Sequence, residues 1–169
     1  MLPLEIANYW GRENLKRWSE SSLDDVAIPQ TSKRFLIEVG LPCKEDWTLR
    51  FDPEADELPR LSNNRNCRRI GFDDFIPICL DEKCAGSVVA VETVVGGSDR
   101  FINSDVERFG EFLVLYQEYR KAARTVSEEE ILKIIPSIED RMRNIDPKAF
   151  DDCNNYWPVI VEQMNQGLL

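Results

Sequence analysis

Apolar residues recur at Ile131, Ile134, Ile135, Ile138, Met142 and Ile145, the spacing that lines one face of an α-helix. Ser127-Glu128-Glu129-Glu130 precedes this run and reads as a capping box, in which hydroxyl and carboxylate take up exposed amides of the first turn. Pro136 falls inside the stripe, where it would cost roughly 3 kcal/mol in a straight helix. Because the apolar face continues beyond it, the pattern predicts a bent helix and not a break. A second stripe, Val106, Phe109, Phe112, Leu113 and Tyr116, follows Ser104-Asp105-Val106-Glu107, which reads as another capping box with Ser104 as the cap. Asp146-Pro147 predicts a cap with proline at the first helical position, and Trp157 to Met164 predicts a last helix.

The N-terminal portion has Ile6, Tyr9, Trp10 and the more distant Trp18 at helical spacing, which predicts a helix over residues 4–19 weakened in its middle by Gly11. Asp24 to Gln30 reads as a linker. A short helix starting at Thr31 buries Phe35, Leu36 and Val39 and stops at Gly40-Leu41-Pro42, since Gly enters the left-handed conformation cheaply and Pro cannot continue the ladder. Trp47, Leu49 and Phe51 alternate with Thr48 and Arg50, the period of a half-buried strand. The acidic, proline-containing run from Asp52 to Pro59 breaks that strand, and residues 52–67 read as a long loop with at most one short element.

From Arg69 the pattern is that of a sheet. Ile70 and Phe72 flank Gly71, then Ile76, Ile78 and Leu80 alternate with Pro77 and Cys79, and Pro77 predicts an edge or a bulge. Asp81 to Gly86 forms a turn, and Val88 to Val95 is apolar on both faces apart from Glu92 and Thr93, which predicts a central strand covered on both sides. Gly96 to Asp99 turns the chain and Arg100 to Asn103 returns it. The whole predicts an α+β fold, a mainly antiparallel meander packed by helices, and 169 residues suit a single domain over 1–169.

Charge and composition narrow the chemistry. The formal net charge is −10 and the acidic residues come in small clusters, so nucleic acid and anionic membrane are disfavoured and a basic partner is the complement. The absence of histidine removes Ser-His-Asp and Cys-His catalysis and the commonest metal ligand. Adjacent carboxylates such as Asp73-Asp74 and Glu128-Glu129 diverge on either a strand or a helix, so neither doublet forms a convergent acid–base pair. Gly96-Gly97-Ser98 lacks the lysine and hydroxyl of a phosphate loop and reads as a turn. Five cysteines, at positions 43, 67, 79, 84 and 153, show no CxxC spacing and read as small buried hydrophobes. With neither a basic leader nor a long apolar run, the expected setting is the reducing cytoplasm. No enzyme activity, cofactor or metal is expected.

The ordered set Phe35-Leu36, Gly40-Leu41-Pro42, Ile70-Gly71, Ile78-Cys79-Leu80-Asp81, Gly86-Ser87-Val88, Phe101-Ile102-Asn103-Ser104 and Phe109 resembles the SUKH superfamily. That superfamily includes bacterial immunity proteins and a fungal regulator of cell-wall glucan synthesis. The early Phe-Leu with Gly-Leu-Pro and the ending near Trp157 look most like its fourth immunity subgroup, over Thr31 to Asn165. The resemblance implies an α+β fold with a mainly antiparallel sheet and a protein that binds and neutralises a cognate toxin domain, often a nuclease or deaminase, in the cytoplasm. The alternative it implies is a regulatory scaffold for an endogenous protein. The family pattern contains no catalytic residues, and the matched glycines and aromatics read as turn, bulge and core positions. The contact surface is therefore sought on the acidic loops, at Asp52, Glu54, Asp56 and Glu57 with Asp73 and Asp74 beside the sheet.

Overall fold

The computed structural model describes residues 1–43, 48–51, 57–61, 66–92 and 97–169. In chain order the elements are α1 (Pro3–Trp10), β1 (Leu15–Lys16), α2 (Gln30–Glu38), β2 (Leu41–Pro42), β3 (Leu49–Arg50), β4 (Cys67–Asp73), β5 (Ile76–Asp81), β6 (Ser87–Ala90), β7 (Arg100–Asn103), α3 (Val106–Ala123), α4 (Glu128–Ile145) and α5 (Tyr156–Asn165). Among the described residues β3 to β7 form one antiparallel meander in sequence order, and β1 pairs with β2 as a separate ribbon. The expected α+β class and antiparallel topology are both present.

The sheet follows from the alternation. Ile78 and Leu80 of β5 and Val88 and Ala90 of β6 face the main core with almost no exposure, while Cys67, Cys79 and Val91 form a smaller buried cluster with Leu61 and Val89. Proline does not put β5 at an edge, for β5 is the central strand. Pro77 lies just past the last β5–β6 register pair, Ile78↔Ala90, where its carbonyl still accepts from the Val91 N–H at 2.9 Å and its missing donor costs the ladder least. A register shift does occur alongside, in β4 between Arg69 and Gly71. A side chain at Gly71 would press on the Arg50 carbonyl at 2.5 Å. β6 lies between β5 and β7, shorter than its apolar run; the end of that run, residues 93–95, falls outside the described residues, as do Trp47 and Gly96.

Helix α3 is the hub. Val106, Phe109, Phe112, Leu113, Val114, Leu115, Tyr116 and Tyr119 are all buried, so it is covered nearly all round, as expected of a helix inside a core. Phe51, next to β3, meets Phe109 edge to face with centroids 5.9 Å apart, and α1, α2 and α4 pack on other faces. Gly110 lets α2 approach, because a Cβ there would stand 2.6 Å from the Phe35 ring. Phe101 is only partly buried, with the Lys148 ammonium 5.0 Å from its ring centre.

Helix α4 runs unbroken through Pro136, opened by the expected Ser127–Glu130 capping box. Its Ile131, Ile135, Ile138 and Met142 are buried. At about 1.5–3 kcal/mol for each such side chain, that burial outweighs the roughly 3 kcal/mol that an interior proline costs, and Pro136 itself lies on the exposed face.

Three further expectations are corrected. The N-terminal helix ends at Trp10 because Gly11 takes φ 78, a conformation that Gly reaches without penalty, and the chain then enters a 3₁₀ turn and β1. The cap of α3 is Asp105, whose carboxylate accepts the Arg108 N–H at 2.8 Å. Ser104 serves another purpose: its hydroxyl donates to Asp146 at 2.8 Å. Of the cysteines only Cys67 and Cys79 are buried, Cys43 is intermediate, and Cys84 and Cys153 are exposed.

Asp146 precedes the 3₁₀ turn Pro147–Phe150 as the sequence suggests, with Pro147 at the first position, but its carboxylate does not cap that turn. It is 2 % exposed and accepts from Asn103 Nδ2 at 3.1 Å, Ser104 N at 2.7 Å and Ser104 Oγ at 2.8 Å. Asn103 in turn accepts the Trp157 indole N–H at 2.9 Å. One buried polar network thus joins β7, the end of α4 and α5 beneath the aromatic cluster of Phe112, Tyr116, Tyr156 and Trp157.

Candidate partner-binding surface

The acidic patch expected from the sequence divides into parts with different roles. Asp52, Glu54 and Asp56 lie outside the described residues. Glu57 is exposed and borders a hollow of about 40 Å³ with Trp18, Pro59, Arg69 and Phe72. Phe72 of β4, on the rim of the same hollow, lies one residue before Asp73. Asp73 ends that strand, half-buried, and accepts the Tyr156 hydroxyl at 2.9 Å. Asp74 is exposed.

Asp74 and Phe75 form the two-residue loop between the paired Asp73 and Ile76. Asp74 has φ 49, and a positive φ at the first loop position is what tight hairpin loops need to match strand twist. Aspartate tolerates it because its short polar side chain does not oppose the left-handed region as a bulkier one would. Two hydrogen bonds fasten the loop to β3: the Asp74 N–H donates to the Thr48 carbonyl at 3.0 Å, and Arg50 Nη2 donates to the Asp74 carbonyl at 2.9 Å. Farther along β4 the Arg69 guanidinium sits 4.6 Å from the Phe72 ring centre.

Phe75 is the residue that sequence reasoning missed. It is 89 % exposed, more than any other large hydrophobic among the described residues. The available signal was its phase: it falls out of step with Ile76, Ile78 and Leu80, next to two aspartates at a turn.

Tyr156 ties this hairpin to α5. Burial, reinforced by the Asp73 carboxylate, pushes its phenol well above the ordinary value. A raised folded-state value means that the stabilisation is complete below the unfolded tyrosine value of about 10 and is lost as pH climbs above it. Urea midpoints should therefore fall between about pH 10 and 11. Tyr156→Phe is expected to flatten that alkaline decline while losing about 1 kcal/mol at neutral pH. An unchanged alkaline slope would show that other groups, such as the similarly raised Tyr116 and Tyr119, govern it.

Other charged clusters are engaged within the fold. Arg68 is buried and donates to Glu82 Oε1 at 3.2 Å, to Asp25 Oδ2 at 2.6 Å and to the Leu58 carbonyl at 3.3 Å. Its hydrogen bond holds the Asp25 carboxyl below the usual range. An open hollow of about 320 Å³ at the start of α3 is lined by Asp105, Glu107, Arg108 and Glu111. Burial and then Asp105 raise the Glu107 carboxyl, but Asp105 is spent on capping and on Arg108, and Glu111 pairs with the terminal amine of Met1. The doublets diverge as expected: Asp73 turns to Tyr156 while Asp74 occupies the loop, and Glu129 pairs with Lys133 at 2.7 Å. Among the described residues no group of His, Cys, Asp and Glu could hold a metal ion, and no helix is long and apolar enough to cross a membrane.

No curated protein and no solved structure matches this chain. A family model does, that of the SUKH-4 immunity protein, over residues 2–163. The match takes in α1 and β1 as well as the region from α2 onward, so it reaches beyond the segment whose motifs carry the resemblance. With nearly the whole chain covered and the antiparallel α+β architecture in place, the chain belongs to the SUKH-4 immunity protein family.

Proposed function

We propose that this protein binds a cognate toxin domain in the cytoplasm and neutralises it by occlusion, without catalysis, with residues 1–169 acting as one domain. The observation that carries this reading is the immunity-family match over residues 2–163. A nuclease or deaminase toxin is the favoured partner class. Such an enzyme holds phosphates in a basic cleft, and a chain of net charge −10 would be steered to that cleft and compete there with nucleic acid.

The test is co-expression with a candidate toxin domain, taken from a neighbouring gene if that gene encodes a large secreted protein, scored by growth rescue and pull-down. Rescue with a stable complex is the expected outcome. Wild-type protein that neither rescues nor binds would overturn the reading, and would favour a scaffold for an endogenous protein. Charge reversal at Glu57 and Asp74 is expected to weaken the complex and flatten its salt dependence, because exposed charges act mainly on encounter. Unchanged affinity at low salt would remove the acidic patch from the interface.

A further inference from the structure

We infer that the tip of the β4–β5 hairpin is the anchor of the interface, with Phe75 entering an apolar pocket that is rimmed by lysine or arginine on the toxin domain. This rests on the immunity reading above and specifies its surface. Three observations converge on the tip. The ring of Phe75 is 89 % exposed and makes no ring contact with the described residues, so the fold does not use it. The loop also has no need of it, since the positive φ falls on Asp74 and the second position could hold a small polar residue. Finally, the side chain is presented on a braced support, because the Thr48 and Arg50 hydrogen bonds hold Asp74 and the Tyr156 hydroxyl holds Asp73.

An aromatic with few rotatable bonds on an already ordered loop loses little entropy on docking, and buried aromatic anchors supply a large share of interface energy. Charge decides the kind of pocket. Neither Asp73 nor Asp74 forms an ion pair with a described residue: the Asp73 carboxylate accepts the Tyr156 hydroxyl, and Arg50 donates to the backbone carbonyl of Asp74 and not to its carboxylate. The local field is therefore negative in the same sense as the whole chain. An apolar pocket with acidic walls would be repelled, whereas one with cationic walls would pair with carboxylates that no described residue engages in an ion pair.

The experiment measures binding of the purified candidate toxin domain to wild type, Phe75→Ala, Asp74→Asn and, as a control, Leu132→Ala on α4, which is 43 % exposed. Thermal unfolding should be the same for wild type and Phe75→Ala, since so exposed a ring contributes little to the core. The expected result is a loss of affinity of about 30-fold or more for Phe75→Ala. Asp74→Asn should slow association at low salt, and Leu132→Ala should bind like wild type. Affinity within about twofold of wild type for a folded Phe75→Ala protein would overturn the hairpin anchor while leaving the immunity function standing. Failure of wild type itself to bind would overturn both. A self-association that disappears in Phe75→Ala, with toxin binding intact, would assign the tip to a second copy of this chain and also overturn the proposal.

Discussion

Replacing Asp146 with alanine is expected to lower stability by about 3–5 kcal/mol, read as a shift in the urea unfolding midpoint at constant slope. The carboxylate is almost wholly buried and takes three hydrogen bonds from Asn103 and Ser104. Its removal leaves the Asn103 amide and the Ser104 N–H as buried donors without acceptors, at about 1–3 kcal/mol each. Asp146→Asn keeps one acceptor oxygen but points amide hydrogens at groups that already donate, so an intermediate loss is expected. Asn103→Ala combined with Asp146→Ala should cost less than the sum of the two, because both break one network. A loss below about 1 kcal/mol for Asp146→Ala would show that the network adds little beyond the apolar packing around it.

Gly40→Ala is expected to cost about 3 kcal/mol or more, for two separable reasons. The residue has φ 86, which costs an ordinary side chain roughly 1–2 kcal/mol. In addition, a Cβ would stand 2.0 Å from the Lys16 carbonyl oxygen. That obstacle is backbone and cannot swing aside, so the β1–β2 ribbon, with Leu15 opposite Pro42 and Lys16 opposite Leu41, must part. Gly167→Ala separates the terms. It has φ 68 with nothing within 4 Å of the added carbon, so only the conformational cost of about 1–2 kcal/mol is expected there. Equal thermal shifts for the two variants would refute the clash.

Legibility in the sequence tracked how locally each feature is decided. The amphipathic α4 and its Ser127 box were readable because cap, stripe and length are properties of neighbouring residues. The meander was readable from alternation broken by turn residues. What escaped was settled by partners distant in sequence. Ser104 has the spacing of a cap, yet its hydroxyl goes to Asp146, 42 positions away, and Asp105 takes over as cap. Pro77 suggests an edge or a bulge, but it lies in the central strand, paired with Phe72 of β4 and just past the last β5–β6 register pair. The proposed interaction surface was half legible: charge clustering directed attention to Asp73 and Asp74, whereas Asp73 proved to be bound to Tyr156. The phase of Phe75 hinted at its exposure, but the extent, 89 %, depends on where its neighbours lie.

The near-complete burial of α3 also orders events during folding. Helix α1 has eight residues, too few to be stable alone in water, and its anchoring contacts reach forward to α3: Tyr9 receives the Lys121 ammonium, 112 positions later, at 3.1 Å. Ile6, Ala7 and Trp10 therefore wait uncovered until α3 is in place. Only then does α1 find its seat, so a helix early in the chain is among the last to be secured.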